Sequence, residues 1–373
     1  MNLEIKGKAF ILFPDTWLSY SPSIINLVKV MKVQGWNVTL VAFHDGSYQK
    51  TDEIEVLYVI PSRIMRRIVG CLKLFTLYRL ITLSIISFKF RKQQFDMVVG
   101  VDSLGYFITR LFFDNPIYYS LHIRKSLSQY ISKKLGIARM IIQTKERLDL
   151  TFSGCVDKPK EVWFIQNSPI LDGSQSITNR NVRHEFNLIY FGNVAKNTYG
   201  IENFIAALRH LPTDVKLTLK GPASIEYKND LEAEFSDLIH SGRLSFDSEY
   251  ISQEDVITWL KRYDLGFCFY DEGLILRADP NIISAPSGKM FNYLAAGLPV
   301  IGSKISGLQI LSDFAAGILL VDQKPQAISV AVMDIRRSYE AYRIGCRRAA
   351  LSNDFRLMAE RFLAEFSIPR KLR

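Results

Sequence analysis

Residues Ser284 to Gly302 read SAPSGKMFNYLAAGLPVIG, a loop, a helix and a strand in immediate succession. Pro286-Ser287-Gly288-Lys289 is a small-residue loop entering a helix, Gly297-Leu298-Pro299 closes that helix, and Val300-Ile301 begins a strand. A helix that starts on such a loop presents unpaired backbone N–H groups and the positive end of its dipole, a ready site for an anion. Lys289 adds a full charge in the first turn. Asn292 and Tyr293 follow one turn on, with Asn292 placed to hydrogen-bond a pair of hydroxyls. Read alone, the same residues equally describe an ordinary helix start with a favourable cap.

Working outward, strand-like runs recur at Asn187–Phe191, Val215–Leu219, Arg243–Phe246, Asp264–Phe269, Leu298–Gly302 and Gly317–Val321, with helical stretches such as Ile201–Arg209 and Gln253–Arg262 between them. The first half repeats the pattern. Strands are predicted at Lys8–Phe13, Trp36–Phe43, Ile54–Ile60, Phe95–Val101, Pro116–Leu121 and Arg139–Gln143, and Ser21-Pro22 opens a helix that Gly35 stops. Alternating β and α over this length predicts parallel sheets covered on both faces. Gln166 to Arg183 is polar and turn-rich. It divides the 373 residues into two Rossmann-like, doubly wound α/β domains, 1–166 and 187–340, joined by a linker at 167–186. Ligands of such sheets sit outside the carboxyl ends of the strands.

Composition narrows the class. Hydrophobic residues make up 48% and charged residues 23%, which excludes a disordered chain. The four cysteines and five histidines are scattered, so neither a disulfide framework nor a zinc module is expected. MNLEIKGKAF lacks the n- and h-regions of a signal peptide, which points to the cytoplasm. The net charge of +10 is unevenly placed: residues 1–161 hold 23 Lys/Arg against 13 Asp/Glu, and residues 162–373 hold 24 of each. A basic half suggests an anionic partner, a membrane surface or nucleic acid. Ser62 to Lys92 carries eight basic residues and no acid, with Ile64, Ile68, Leu72, Phe75, Leu80, Leu83 and Ile86 between them. A basic helix this apolar is expected to lie in an anionic membrane interface; the alternative is a core helix with a solvated basic face. Arg79 falls opposite Arg66 and Lys73 on a helical wheel and blemishes the amphipathic pattern. Nucleic acid is disfavoured, because no recognition helix or aromatic RNA motif is evident.

PSGKMFNYLAAGLPVIGS resembles the nucleotide-sugar motif of GT-B glycosyltransferases, usually P-x-K-x-x-E-Y-M-A-x-G-x-P-V-I. LIYFGNVA (188–195) resembles the strand and Gly-rich turn opening their donor domain, and TLKGP (218–222) the end of its second strand. YISQEDVITWL (250–260) resembles the segment edging the nucleobase, DLGFCFY (264–270) the strand after it, and SYSPSIINLVKVMKVQGWNVTLVA the start of the acceptor domain. The resemblance implies two domains facing a central cleft, with helices from 341 to 373 returning to the N-terminal one. It implies a nucleoside-diphosphate sugar donor, UDP-type, with no metal and no further cofactor, in keeping with the lack of a D-x-D motif. Gly192 and Asn193 would let backbone approach the donor, Lys220 and Gly221 would line its phosphate side, and Tyr250 would edge the base. Ser287, Gly288 and Lys289 would hold the diphosphate, with Asn292 near the ribose and Tyr293 beside it.

Two departures stand out. The large retaining families place glutamates where this chain has Ser284 and Asn292, and an Arg and Lys pair where it has Asn193, Lys196 and Tyr199. More of the phosphate charge therefore rests on Lys289. On the acceptor side, His122 ends PIYYSLH and resembles a GT-B histidine that contacts the donor sugar. His122 and Asp15 are the candidate catalytic bases for an inverting transfer. Asp271, Glu272 and Asp279 precede the motif and are candidates to touch the sugar. The expectation is transfer of a sugar to a hydroxyl of a lipid-linked glycan in exopolysaccharide or lipopolysaccharide assembly, peripheral to the cytoplasmic face of the inner membrane. The competing readings are a GT-B protein that has lost catalysis and binds glycan or a partner, and a nucleotide-sugar epimerase.

Overall fold

The computed structural model describes residues 6–47, 50–63, 65, 67, 74–123, 127–134, 136–155, 157–171 and 185–366. The chain divides into two compact units. The first comprises Met1–Gln166 and Phe355–Arg373, the second Asn167–Asp354.

The first unit holds a seven-stranded parallel sheet in the order β3-β2-β1-β4-β5-β6-β7. Its strands are β1 (Gly7–Phe13), β2 (Trp36–Phe43), β3 (Leu57–Val59), β4 (Met97–Val101), β5 (Ile117–Tyr119), β6 (Arg139–Ile142) and β7 (Glu161–Phe164). The last of these was not anticipated. All five residues of β4 are buried, as a central strand covered on both faces requires. The helix Asp102–Phe112 lies so close over β4 that a Cβ on Gly100 would meet the Cα of Tyr106 at 2.5 Å. Proline at the start of the helix Pro22–Val33 and Gly35 (φ +82°) after it act as expected, although Ser21 makes no side-chain cap.

The second unit holds six parallel strands in the order β10-β9-β8-β11-β12-β13. These are β8 (Phe186–Phe191), β9 (Val215–Lys220), β10 (Leu244–Asp247), β11 (Leu265–Cys268), β12 (Val300–Ser303) and β13 (Gly317–Leu320); β11 and β13 lie within their anticipated runs, and β8, β9, β10 and β12 overrun theirs by one residue each. Phe204 stacks on Phe267 with centroids 4.9 Å apart, fixing the helix Ile201–Ala207 on one face. Tyr293 of the helix Gly288–Ala295 fills the other, against Gly266.

In each unit the strand order reverses at one place, between β1 and β4 and between β8 and β11. Crevices outside the carboxyl ends of strands at such switch points are where ligands bind.

The boundary expected at residue 341 moves. The helix Tyr339–Ser352 stays in the second unit, where Gly345 lies too close to the Ala315 carbonyl for any side chain and Cys346 Sγ reaches the Ala316 carbonyl at 3.5 Å. Only from Phe355 does the chain join the first unit, where Gln34 Nε2 donates to Glu360 Oε1 at 3.1 Å and Trp163 meets Phe362 edge-on. The expected linker is described at 167–171 and 185–186; its middle lies outside the described residues.

Candidate functional site

In the second unit the reversal point is lined by the end of β8, the end of β11 and the start of the helix Gly288–Ala295. Lys289 reaches back across this space. Its Nζ donates to the Tyr190 hydroxyl at 3.2 Å and stands 4.5 Å and 4.2 Å from the ring centroids of Tyr190 and Tyr199. Among the described residues no carboxylate forms an ion pair with it. Burial pushes its ammonium below the ordinary lysine range. The same ammonium lies 3.4 Å from where a Cβ on Gly192 would be. A desolvated cation with π-faces around it and no counter-ion is set up to receive an anion. Ser287, at the N-cap, makes no side-chain bond to the first turn.

The turns after β8 and β9 are stacked. Gly192 (φ +149°) donates its N–H to the Lys220 carbonyl at 2.9 Å, and Gly221 (φ +138°) donates to the Asp247 carbonyl at 2.9 Å. A Cβ on Gly221 would fall 2.0 Å from the Gly192 carbonyl oxygen, so only glycine fits. The Tyr190 hydroxyl donates to the Asn193 carbonyl at 2.8 Å and ties this turn to the residue that holds Lys289. Asn193 itself is exposed.

Other sequence-predicted residues fall elsewhere. Lys220 is only 2% exposed; its Nζ pairs with Asp247 at 2.5 Å and lies over the Trp259 ring. Its ammonium is thus engaged by the neighbouring strand rather than offered to a phosphate. Tyr293 is fully buried and its hydroxyl accepts the Phe191 N–H at 2.7 Å, so it buttresses β8 and presents nothing to a ligand. Tyr250 is 80% exposed, and Asn292 is half-buried. Ser284 is buried and bonds the Pro280 carbonyl. Asp271 and Asp279 cap short helices through the N–H groups of Gly273 and Asn281. Asn167 was not anticipated: a Cβ on Gly288 would meet its amide nitrogen at 2.9 Å, so it lies against the helix start.

In the first unit the reversal point carries Asp102, which follows β4 with φ +50° and is buried. Its Oδ1 accepts the N–H of Leu121 at 2.8 Å and of His122 at 3.0 Å, and its Oδ2 lies 3.2 Å from His122 Nδ1. Asp102 therefore fixes both the backbone and the ring of His122, whose side chain is 42% exposed. Trp17 meets the ring edge-on at 5.1 Å. A carboxylate at Nδ1 selects the tautomer that leaves Nε2 free to accept a proton. Neither Asp102 nor Trp17 was singled out from sequence; the apolar run into VDSLG hid the aspartate. Asp15, after β1, is paired with Arg79 at 2.7 Å. Among the described residues no group of three or more His, Cys, Asp or Glu side chains could hold a metal ion, and no helix is long and apolar enough to cross a membrane.

No family model and no curated protein matches the sequence. Solved structures do. Anabaena Alr3699/HepE in complex with UDP and glucose superposes with a TM-score of 0.64 at 14% identity, over 97% of this chain and 99% of that one. A glycosyltransferase from Rickettsia africae ESF-5 gives 0.67 at 12%, over 96% and 97%. A provisional UDP-N-acetylglucosamine 2-epimerase from Listeria monocytogenes gives 0.63 at 13%, over 96% and 95%. At such identities the likeness is one of fold: two Rossmann-like units of the GT-B fold class, as the sequence motif implied.

Proposed function

We propose that this GT-B chain is a glycosyltransferase, moving a sugar from a UDP-type donor to a hydroxyl of a lipid-linked glycan in surface polysaccharide assembly. The observation that carries the reading is Lys289, an ammonium that among the described residues has no carboxylate partner, at a helix start and beside a turn that only glycine can form. In the transfer, the acceptor oxygen bonds the anomeric carbon as its bond to the diphosphate breaks, and the electron pair goes to the leaving phosphate oxygen. Lys289 and the first-turn N–H groups would stabilise that charge. In an inverting transfer the acceptor proton would go to Nε2 of His122, held by Asp102. The Arg79 pair makes Asp15 the weaker candidate. Anabaena HepE, of similar fold, is found with UDP and with UDP-glucose, which supports a uridine donor. The basic excess in residues 1–161 supports an acceptor at an anionic membrane surface, with the protein peripheral to it.

The test is a thermal-shift series with UDP, GDP, ADP, dTDP and CMP. UDP at a hundred times its Kd should stabilise the protein by about 2.7 kcal/mol, and Lys289→Ala should abolish the shift. No shift with any nucleotide would overturn the reading. The Listeria likeness motivates one alternative, an epimerase, which would convert a UDP-sugar to its epimer with no acceptor present.

A further inference from the structure

The helix Phe75–Phe90 has two apolar faces, and among the described residues only one packs against the core. Leu83 is buried, and Tyr78, Leu80, Ile86 and Phe90 pack against the cluster formed by Phe10, Leu12, Val41, Phe43, Val98 and Ile108. On the opposite side Leu74, Leu77, Ile81, Ile85 and Phe88 are each between 43% and 53% exposed. Steps of three and four residues put these five in one stripe, within roughly 80° of each other at 3.6 residues per turn. The stripe continues onto the helix Asp102–Phe112, where Phe112 meets Phe88 edge-on at 6.0 Å and Leu111 is exposed. Contiguous exposed apolar surface of this kind marks an interaction site.

The charge around the stripe selects the partner. No carboxylate occurs from Ser62 to Gln94. Lys89, Arg91 and Lys92 are exposed at the end of the helix, and Arg63 and Arg67 are exposed ahead of it. The Arg91 guanidinium lies 3.6 Å from the Phe88 ring centroid, so a cation and an apolar member of the stripe are in contact. Arg79, which blemished the helical wheel, points inward to Asp15 and leaves the outer face clear. We infer that this stripe inserts into an anionic bilayer, its Leu, Ile and Phe side chains entering the acyl boundary while Lys89, Arg91 and Lys92 meet lipid phosphates. Two copies pairing through it would bring like charges together, so charge complementarity favours lipid. The helix lies in the interface and does not cross it. The inference deepens the proposed function by naming the surface that meets the membrane.

The experiment is co-sedimentation of the full chain with phosphatidylcholine vesicles, with and without phosphatidylglycerol. The chain should pellet only with the anionic vesicles, and Ile81→Asp combined with Ile85→Asp should lower partitioning by about tenfold or more. Undiminished binding of that variant would overturn the inference, leaving charge alone. So would no binding by the natural chain, or a dimer in its absence of lipid that the double substitution dissolves. Both substitutions are at exposed positions, and a cooperative melt of the variant without ligand confirms that it is folded. A natural chain that binds the anionic vesicles and shows no UDP shift would sink the donor reading and leave the membrane surface standing.

Discussion

Lys289 holds a positive charge where the described residues supply two aromatic rings and a hydroxyl but no carboxylate. Such a group costs stability until a ligand arrives. Lys289→Met should therefore stabilise the free protein by roughly 1 kcal/mol while removing its response to nucleotide; urea denaturation with and without UDP measures both. The pH dependence follows from the lowered pKa. The folded state binds fewer protons than the unfolded chain between the lowered Lys289 value and about 10.4, so the group's destabilisation is full below that window and is relieved as pH rises through it. A bound diphosphate favours the ammonium, so nucleotide binding should take up a proton and weaken as pH rises through the free-state value. Titration calorimetry in buffers of different ionisation heat should detect that uptake in the natural chain and not in Lys289→Met. The place of Lys289 at a helix start was legible in sequence because a loop, a helix start and a lysine are local features. The partners of Lys220 and Tyr293 were not legible, because Asp247 and the Phe191 N–H that engage them are far off in the chain.

At the scale of elements, Tyr293 couples the helix Gly288–Ala295 to β8. It pins the strand whose next residue is Gly192, and its ring occupies the space above Gly266. Tyr293→Phe keeps the packing and leaves the Phe191 N–H unsatisfied, which should cost about 1–3 kcal/mol. Chemical denaturation should show a lower midpoint with the UDP shift retained. Loss of the UDP shift at an unchanged midpoint would instead return Tyr293 to the ligand. Strands such as β4 and β12 were legible because a strand buried on both faces reads as a continuous apolar run. β7 was not: its four residues, Glu161–Phe164, begin with an exposed acid at the end of the strand order. Asp102 was hidden for a related reason, since its hydrogen bonds are to Leu121 and His122 after the next strand.

The two units differ in how the chain builds them, and this has a consequence for the whole molecule. The second is one continuous segment, Asn167–Asp354, pinned at its ends where the Leu171 N–H donates to the Asp354 carboxylate at 3.2 Å. The helix Tyr339–Ser352 packs on Ala315 and Ala316 within this unit, so the return to the first unit begins at Phe355 and not near 341, a boundary no local pattern marks. The first unit is completed by the helix Phe355–Ala364, which buries Phe355, Ala359, Phe362 and Leu363. At about 1.5–3 kcal/mol for each large apolar side chain, omitting that helix removes on the order of 5 kcal/mol, comparable to the stability of a typical domain. Residues 167–354 produced alone should therefore fold cooperatively and keep the UDP-induced shift, because Lys289, Tyr190, Gly192 and Gly221 all lie within them. Residues 1–166 alone should fail to give a cooperative transition, and joining 355–366 to them through a flexible linker should restore it. Thermal melts of the three pieces decide the matter. A cooperative 1–166 would mean that the terminal helix is an accessory, and a second unit blind to UDP would mean that nucleotide recognition needs residues outside the one that carries Lys289.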